Sequence, residues 1–190
     1  MTTFFTSDLH FGHRNVIKYV PRPFSSVEEM DATMIERWNA LVAPGDDVYI
    51  VGDFALCRPA RAVEIAHALN GNKFLVRGNH DKRVEGALHK CFAWVKDVYT
   101  AKVPDADAPG GVQRIVLYHY AMRVWDGSHY GAWSLYGHSH GNLADDPNSL
   151  SFDIGVDCWD YRPVSYAEVK ARMATKRWKP VDHHGREDDE

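Results

Sequence analysis

A chain of 190 residues, 45% of them hydrophobic, is long enough for one domain with a sizeable core. Its formal charge of -4 argues against a surface built for broad contact with a nucleic-acid duplex, which needs an excess of Lys and Arg, but leaves room for a small phosphate ester at a local positive site. No stretch approaches transmembrane length, and Met1-Thr2-Thr3-Phe4-Phe5 carries neither a basic region nor a long apolar run. The sequence therefore reads as soluble and cytoplasmic, with Cys57, Cys91 and Cys158 as reduced, partly buried thiols.

Phe4 to Ser7 reads as a short buried strand ending at Asp8, and Asn15 to Tyr19 as a short helix stopped by Pro21 and Pro23. Ser26 with Glu29, or Ser25 with Glu28, forms a capping box. Val27, Met30, Met34, Trp38 and Leu41 then recur at helical steps and predict one core-facing stripe. After Pro44-Gly45-Asp46 comes a strand, Val48 to Val51, then a helix over Arg61 to Leu69 and a strand over Lys73 to Val76. In the second half, Val98 to Val103 and Val112 to Tyr118 predict a hairpin around the Pro104 to Gly111 turn. Trp133 to Tyr136 and Ser151 to Val156 are further strands, and Ser165 to Lys176 a final helix. Residues 1–181 read as a single domain, and 182–190 as a disordered acidic tail.

Five segments at the ends of apolar runs carry chemistry: Asp8-Leu9-His10, Gly52-Asp53, Gly78-Asn79-His80-Asp81, His119 and Gly137-His138-Ser139-His140. Strand ends can meet at one edge of a sheet, where sites of open α/β folds lie. Asp, His and Asn are hard-to-borderline ligands suited to divalent ions that keep positions open for water and substrate. Asp8 and His10 are two apart, so on a regular strand both face one side and can share an ion. Asp53 follows a glycine and is placed to bridge two ions, Asn79 offers a neutral oxygen, and His138 with His140 can tie the pair together. Two divalent ions against Asp8 and Asp53 leave a surplus of about two positive charges, enough to lower the pKa of a bridging water and attract phosphate. The absence of Cys among these groups favours Mn, Fe, Ni or Zn, with Mn preferred, over a soft thiolate site.

In this order the segments resemble the signature of the calcineurin-like metallophosphoesterase superfamily (D-x-H, G-D, G-N-H-[D/E], H and G-H-x-H), over Asp8 to His140. Val156 to Val164 is also similar to the closing strand of small, uncapped bacterial and phage members. The resemblance implies an α/β (α+β) fold, a four-layer sandwich of two mixed β-sheets flanked by helices. It further implies that Asp8, His10 and His140 bind a first ion and Asn79, His119 and His138 a second, with Asp53 between them. His80 would sit beside the phosphate as the catalytic group. Where the protein-phosphatase branch has an Asp and an Arg after the bridging Asp, this chain has Leu56 and Cys57, which points away from that branch.

His13, Arg14 and His129 are candidates to line the phosphate pocket. Arg77 and Arg162 are further candidates for phosphate contact, read like Arg14 first as surface or ion-pair residues, and His67 and His89 are read as solvent-facing. Trp125, Trp133 and Trp159 are candidate platforms for a base. The function expected is a two-metal phosphodiesterase that hydrolyses a small phosphodiester, such as a cyclic nucleotide, by attack of a metal-bridging hydroxide. The alternatives are a phosphomonoesterase or single-strand nuclease with the same centre, and a non-catalytic scaffold of the same fold. The presence of all the ligand positions and of His80 weighs against the scaffold. The sequence leaves the oligomeric state open.

Overall fold

The computed structural model of the protein describes residues 1–181; the tail expectation for 182–190 lies outside the described residues. The strands are β1 (Thr3–Thr6), β2 (Asp47–Val51), β3 (Asn72–Val76), β4 (Val95–Lys96), β5 (Tyr99–Pro104), β6 (Val112–Leu117), β7 (Trp133–Tyr136), β8 (Ser151–Asp153) and β9 (Val164–Ser165). The helices are α1 (Val16–Tyr19), α2 (Val27–Leu41), α3 (Pro59–Ala68), α4 (Gly86–His89) and α5 (Tyr166–Met173). One sheet has the order β4-β3-β2-β1-β9, with β1 to β4 parallel and β9 antiparallel to β1. The other runs β5-β6-β7-β8, its first pair an antiparallel hairpin and the rest parallel. Both sheets are thus mixed, and helices flank them.

Strand alternation divides the core in two. Phe4, Val48, Ile50 and Leu75 pack against Met30, Met34 and Trp38 of α2 and against Ala62, Ile65 and Ala66 of α3. Their neighbours Phe5, Val51 and Val76 turn to the opposite face and meet Ala101, Ile115, Leu117, Leu135 and Phe152 between the sheets, where α5 adds Val169 and Met173. Two buried layers on one chain hold the central parallel strands firmly, and those strands carry the loops described below.

Local chemistry sets the boundaries. Ser26 caps α2 through the Glu29 amide at 3.1 Å, while the Glu29 carboxylate accepts from the Ser25 amide at 2.8 Å, so the two capping registers share one glutamate. The helical stripe is buried at Val27, Met30, Met34 and Trp38, but Leu41 is 43% exposed. The helix stops at Leu41, and the extended backbone of Val42 turns that residue inward in its place. A Ser165–Glu168 capping box starts α5. Three short elements, β4, α4 and β9, have no periodic signal in the sequence. The residues around Val156 form a helical turn, Val156–Cys158, and the closing strand is the two-residue β9 against β1. Cys57 and Cys91 are half-buried as expected, whereas Cys158 is exposed. Among the described residues no helix is long and apolar enough to cross a membrane.

Candidate metal centre

Five parallel strands drawn from both sheets end at one place. Asp8 and His10 follow β1, Asp53 follows β2, Asn79 and His80 follow β3, His119 follows β6, and His138 and His140 follow β7. Strand alternation is not what aligns Asp8 with His10, however. β1 ends at Thr6, and both residues adopt the left-handed backbone, with φ of 55° and 52°. Their amides donate to the carbonyls of Gly52 and Asp53 at 3.0 and 2.9 Å, which laces this loop to the one after β2. Asp53, His138 and His140 are left-handed as well. Such conformations cost on the order of 1–3 kcal/mol each for residues with a β-carbon and persist where surrounding structure enforces them, commonly at functional sites. The glycines of the motifs make the enclosure tight. A β-carbon at Gly52 would collide with the His119 ring, and one at Gly137 with Ser7 and the Asp8 carboxylate.

Each clustered carboxylate divides its two oxygens between structure and cluster. Asp8 Oδ2 accepts from the His138 amide at 2.8 Å, and its Oδ1 faces His10 Nε2 at 3.9 Å and His140 Nε2 at 3.8 Å. Asp53 Oδ1 accepts from the His80 amide at 2.9 Å, leaving Oδ2 at 3.5 Å from both His10 Nε2 and His119 Nε2. On the far side, Asn79 Oδ1 lies 3.1 Å from His119 Nε2 and 3.0 Å from His138 Nδ1. The result is two adjoining nests of N and O atoms that meet at Asp53. Asp8 with His10 and His140, and Asp8 with Asp53 and His119, are groups whose ligand atoms lie close enough to hold an ion.

Whether these residues suit a cation can be read from the buried atoms themselves. Asp8 Oδ1 and His10 Nε2 are fully buried and have no hydrogen-bond partner among the described residues. A buried carboxylate oxygen left unpaired is costly, and a divalent ion at that point would satisfy both atoms at once. The protonation pattern agrees. Burial lifts Asp8 to about 6 against the pull of His119 and His140, and pushes His10 down to about 3, so its ring is neutral and free to ligate. Burial opposes charge on His119 too, but its hydrogen bond to Asp53 and the nearby carboxylates outweigh that and raise it to about 8. The carboxylates that favour a proton on His119 would equally favour a divalent ion, whose binding displaces that proton.

Groups behind the cluster orient it, and the linear motifs did not reveal their roles. The buried Asp81 carboxylate accepts from the amides of Asp53 at 2.7 Å, Phe54 at 3.0 Å and Gly78 at 2.8 Å, clamping the β2 and β3 loops together. His119 Nδ1 lies 2.9 Å from the Val51 carbonyl, which can only accept, so the proton sits on Nδ1 and Nε2 faces the cluster. His140 Nδ1 is held at 2.7 Å by Asp157. Asp157 in turn accepts from Nε and Nη2 of the buried Arg22, at 2.7 and 2.9 Å, and Arg22 also donates to the carbonyls of Asp8 and Leu9 at 2.7 and 3.1 Å. Asp157 and Arg22 belong to no motif. The one sequence hint was that the Val156 to Val164 region resembles the closing strand of related proteins.

The other candidates are sorted by position. His80 is exposed at the rim, its ring 5.2 Å from that of His10. His13 joins it, with rings 5.3 Å from His10 and 6.0 Å from His80. Arg14 is not gathered in: its side chain is 78% exposed and 3.8 Å from Glu28. His129 sits in the turn Ser128–Tyr130 with its ring against Tyr130, and is not among the clustered groups. Arg77 pairs with Asp97 and Arg162 with Glu168. Of the expected platforms, Trp133 is buried, while Trp125 and Trp159 are half-buried and bonded through their indole N–H groups to Ala132 and Asp153 carbonyls. The aromatic ring at the cluster is instead that of Tyr120, 5.1 Å from His119 and 4.6 Å from His138.

Two mixed sheets that deliver Asp, Asn and His side chains from their carboxyl ends into one cluster define a metal-dependent hydrolase type of site. The chain belongs to the calcineurin-like phosphoesterase family, whose model matches residues 1–148. It is 34% identical over 166 residues to an uncharacterized protein of Methanocaldococcus jannaschii, covering 84% of each chain. It is 29% identical over 194 residues to the gene 66 protein of Mycobacterium phage L5, covering 88% of this chain and 91% of that one. Among solved structures, a protein of unknown function from Aquifex aeolicus shares the fold with a TM-score of 0.67 at 23% identity, covering 90% of this chain and 98% of that one.

Proposed function

We propose that the chain is a two-metal-dependent phosphodiesterase acting on a small, nucleotide-like phosphodiester. In this reading Asp8, His10 and His140 hold one divalent ion, Asn79, His119 and His138 hold the other, and Asp53 serves both. The observation that carries the reading is the placing of Asp53 Oδ2 at 3.5 Å from the facing nitrogen of each nest. Ions held there would supply Lewis acidity toward a phosphoryl oxygen and make water acidic enough to act as a nucleophile near neutral pH. The protein's own part is arrangement. Asp81 and Asp157 hold the loops and ring tautomers, and Tyr120 and His13 border the opening. His80, its main chain tied to Asp53, presents its imidazole to the leaving oxygen as a proton donor.

The choice of diester rests on what surrounds the cluster. A monoester dianion needs extra cationic groups, and Leu56 and the half-buried Cys57 offer none. A diester monoanion needs space for two substituents, which an uncapped cluster provides. Metal-stripped protein reloaded with Mn, Ni, Zn or Mg should hydrolyse bis(p-nitrophenyl) phosphate with higher kcat/KM than p-nitrophenyl phosphate, with Mn among the best ions. A preference for the monoester with every ion would overturn the diesterase assignment and leave the metal centre standing.

The Asp157–Arg22 pair gives a separate check on the first ion. Asp157→Asn keeps the shape of the side chain but removes the charge that fixes the His140 ring. Metal affinity should fall by about 10–100-fold at one position, as is usual for a carboxylate behind a ligating histidine. Titration of metal-free protein with Mn would show one class of site weakened and the other kept. Two unchanged sites would mean that His140 needs no such support.

A further inference from the structure

Outside all the motifs lies a groove of about 350 Å³ on the face of the second sheet. One wall is the segment after His119, with Arg123 and Trp125; another is the segment after His140, with Leu143; the third is the chain beyond α5, with Trp178 and Lys179. Two of its walls are thus the direct continuations of the loops that carry His119 and His140. Tyr120, directly before the first wall, meets the His119 and His138 rings edge-on, with centroids 5.1 and 4.6 Å away.

The groove has a specific chemical character. Trp125 is fixed by its bond to the Ala132 carbonyl, whereas Trp178 is 39% and Leu143 48% exposed. The third wall is held in place by the amides of Arg177 and Lys179, which donate to the carbonyls of Pro147 and Asn148 at 2.7 and 3.2 Å. Neither the Arg123 nor the Lys179 side chain has an ion-pair partner among the described residues, so both cations are available to an anionic ligand. Among the described residues Asp146 is the one carboxylate of the lining. Indole faces with spare cations suit a planar heteroaromatic ring attached to phosphate: rings stack on indole, and guanidinium binds phosphate in bidentate fashion.

We propose that this groove is the nucleoside subsite of the enzyme: Trp178 stacks on the base of a nucleotidyl phosphodiester, and Arg123 binds an oxygen of its phosphate or of a neighbouring one. The proposal rests on the phosphodiesterase reading for its catalytic meaning, but binding to the groove can be tested without turnover. It also moves the base platform from Trp125, Trp133 and Trp159 to Trp178, the indole the fold leaves open.

The test uses the full chain, Trp178→Ala and Arg123→Ala, each checked for an unchanged Tm. With Mn bound, kcat/KM is compared for the p-nitrophenyl ester of thymidine 5′-monophosphate and for methyl p-nitrophenyl phosphate, which has no ring outside the leaving group. Trp178→Ala should lower the ratio of the two by about tenfold or more, from the loss of one base stack, with the methyl ester unaffected. Separately, calorimetric titration of metal-free protein with adenosine 5′-monophosphate should show binding that both variants weaken. Equal loss on the two esters, or nucleotide binding that is absent from the parent protein or unchanged in both variants, would overturn the subsite. If neither ester is turned over with any ion while both variants still weaken nucleotide binding, the phosphodiesterase reading fails and the groove stands.

Discussion

Replacing Asp53 with Ala or Asn should empty or weaken both metal positions together and abolish hydrolysis. One oxygen of this side chain faces both nests, so its loss is shared, whereas the loss of Asn79 or His140 would fall on one position. The other oxygen accepts the His80 amide, so Asp53→Ala also frees the loop that presents the proposed proton donor. Asp53→Asn keeps an oxygen there while removing the charge, which separates electrostatics from loop position. The loss of turnover should exceed the roughly 10²–10⁴-fold contributed by a general acid, because metal binding fails before chemistry begins. Metal content by atomic absorption and turnover on bis(p-nitrophenyl) phosphate are the two measurements. A variant with two bound ions and near-normal turnover would show that Asp53 is not the shared ligand.

His80→Ala should behave in the opposite way, keeping its metals and losing turnover by about 10²–10⁴-fold. The ring is exposed at the rim, 5.2 Å from that of His10 and close enough to reach a phosphate. A proton donor matters most for a poor leaving group. The loss should therefore be larger for an alkyl or nucleotidyl diester than for a nitrophenyl ester, whose leaving group departs without help. Equal losses on both would assign His80 to stabilising charge on the phosphoryl group instead. Loss of metal along with activity would make His80 a ligand, an outcome that the grouping of His10, Asp53 and His80 within metal-binding reach makes worth measuring.

The sequence by itself determined the clustered residues and their order, because Asp8, His10, Asp53, Asn79, His119, His138 and His140 each follow closely after an apolar run. A strand is a local pattern, and the carboxyl end of a parallel strand is a place that local pattern can specify. The long helices and the hairpin were legible for the same reason. The two-residue strands β4 and β9 were not, since a pair of residues has no period and becomes strand only when a neighbouring edge accepts it.

Tertiary structure alone decided how the clustered side chains are aimed. Asp8 and His10 share a side through a left-handed loop hydrogen-bonded to its neighbour, not through strand alternation. Arg22 and Asp157 meet across 135 residues of chain to hold His140, and no spacing rule connects residues so far apart. Arg14 turned away to Glu28, and Trp178 was left open while Trp133 was buried, because exposure depends on which segments pack over a side chain. Which residues cluster is written in local chemistry, whereas their orientation comes from contacts that exist only after the two sheets have closed on each other.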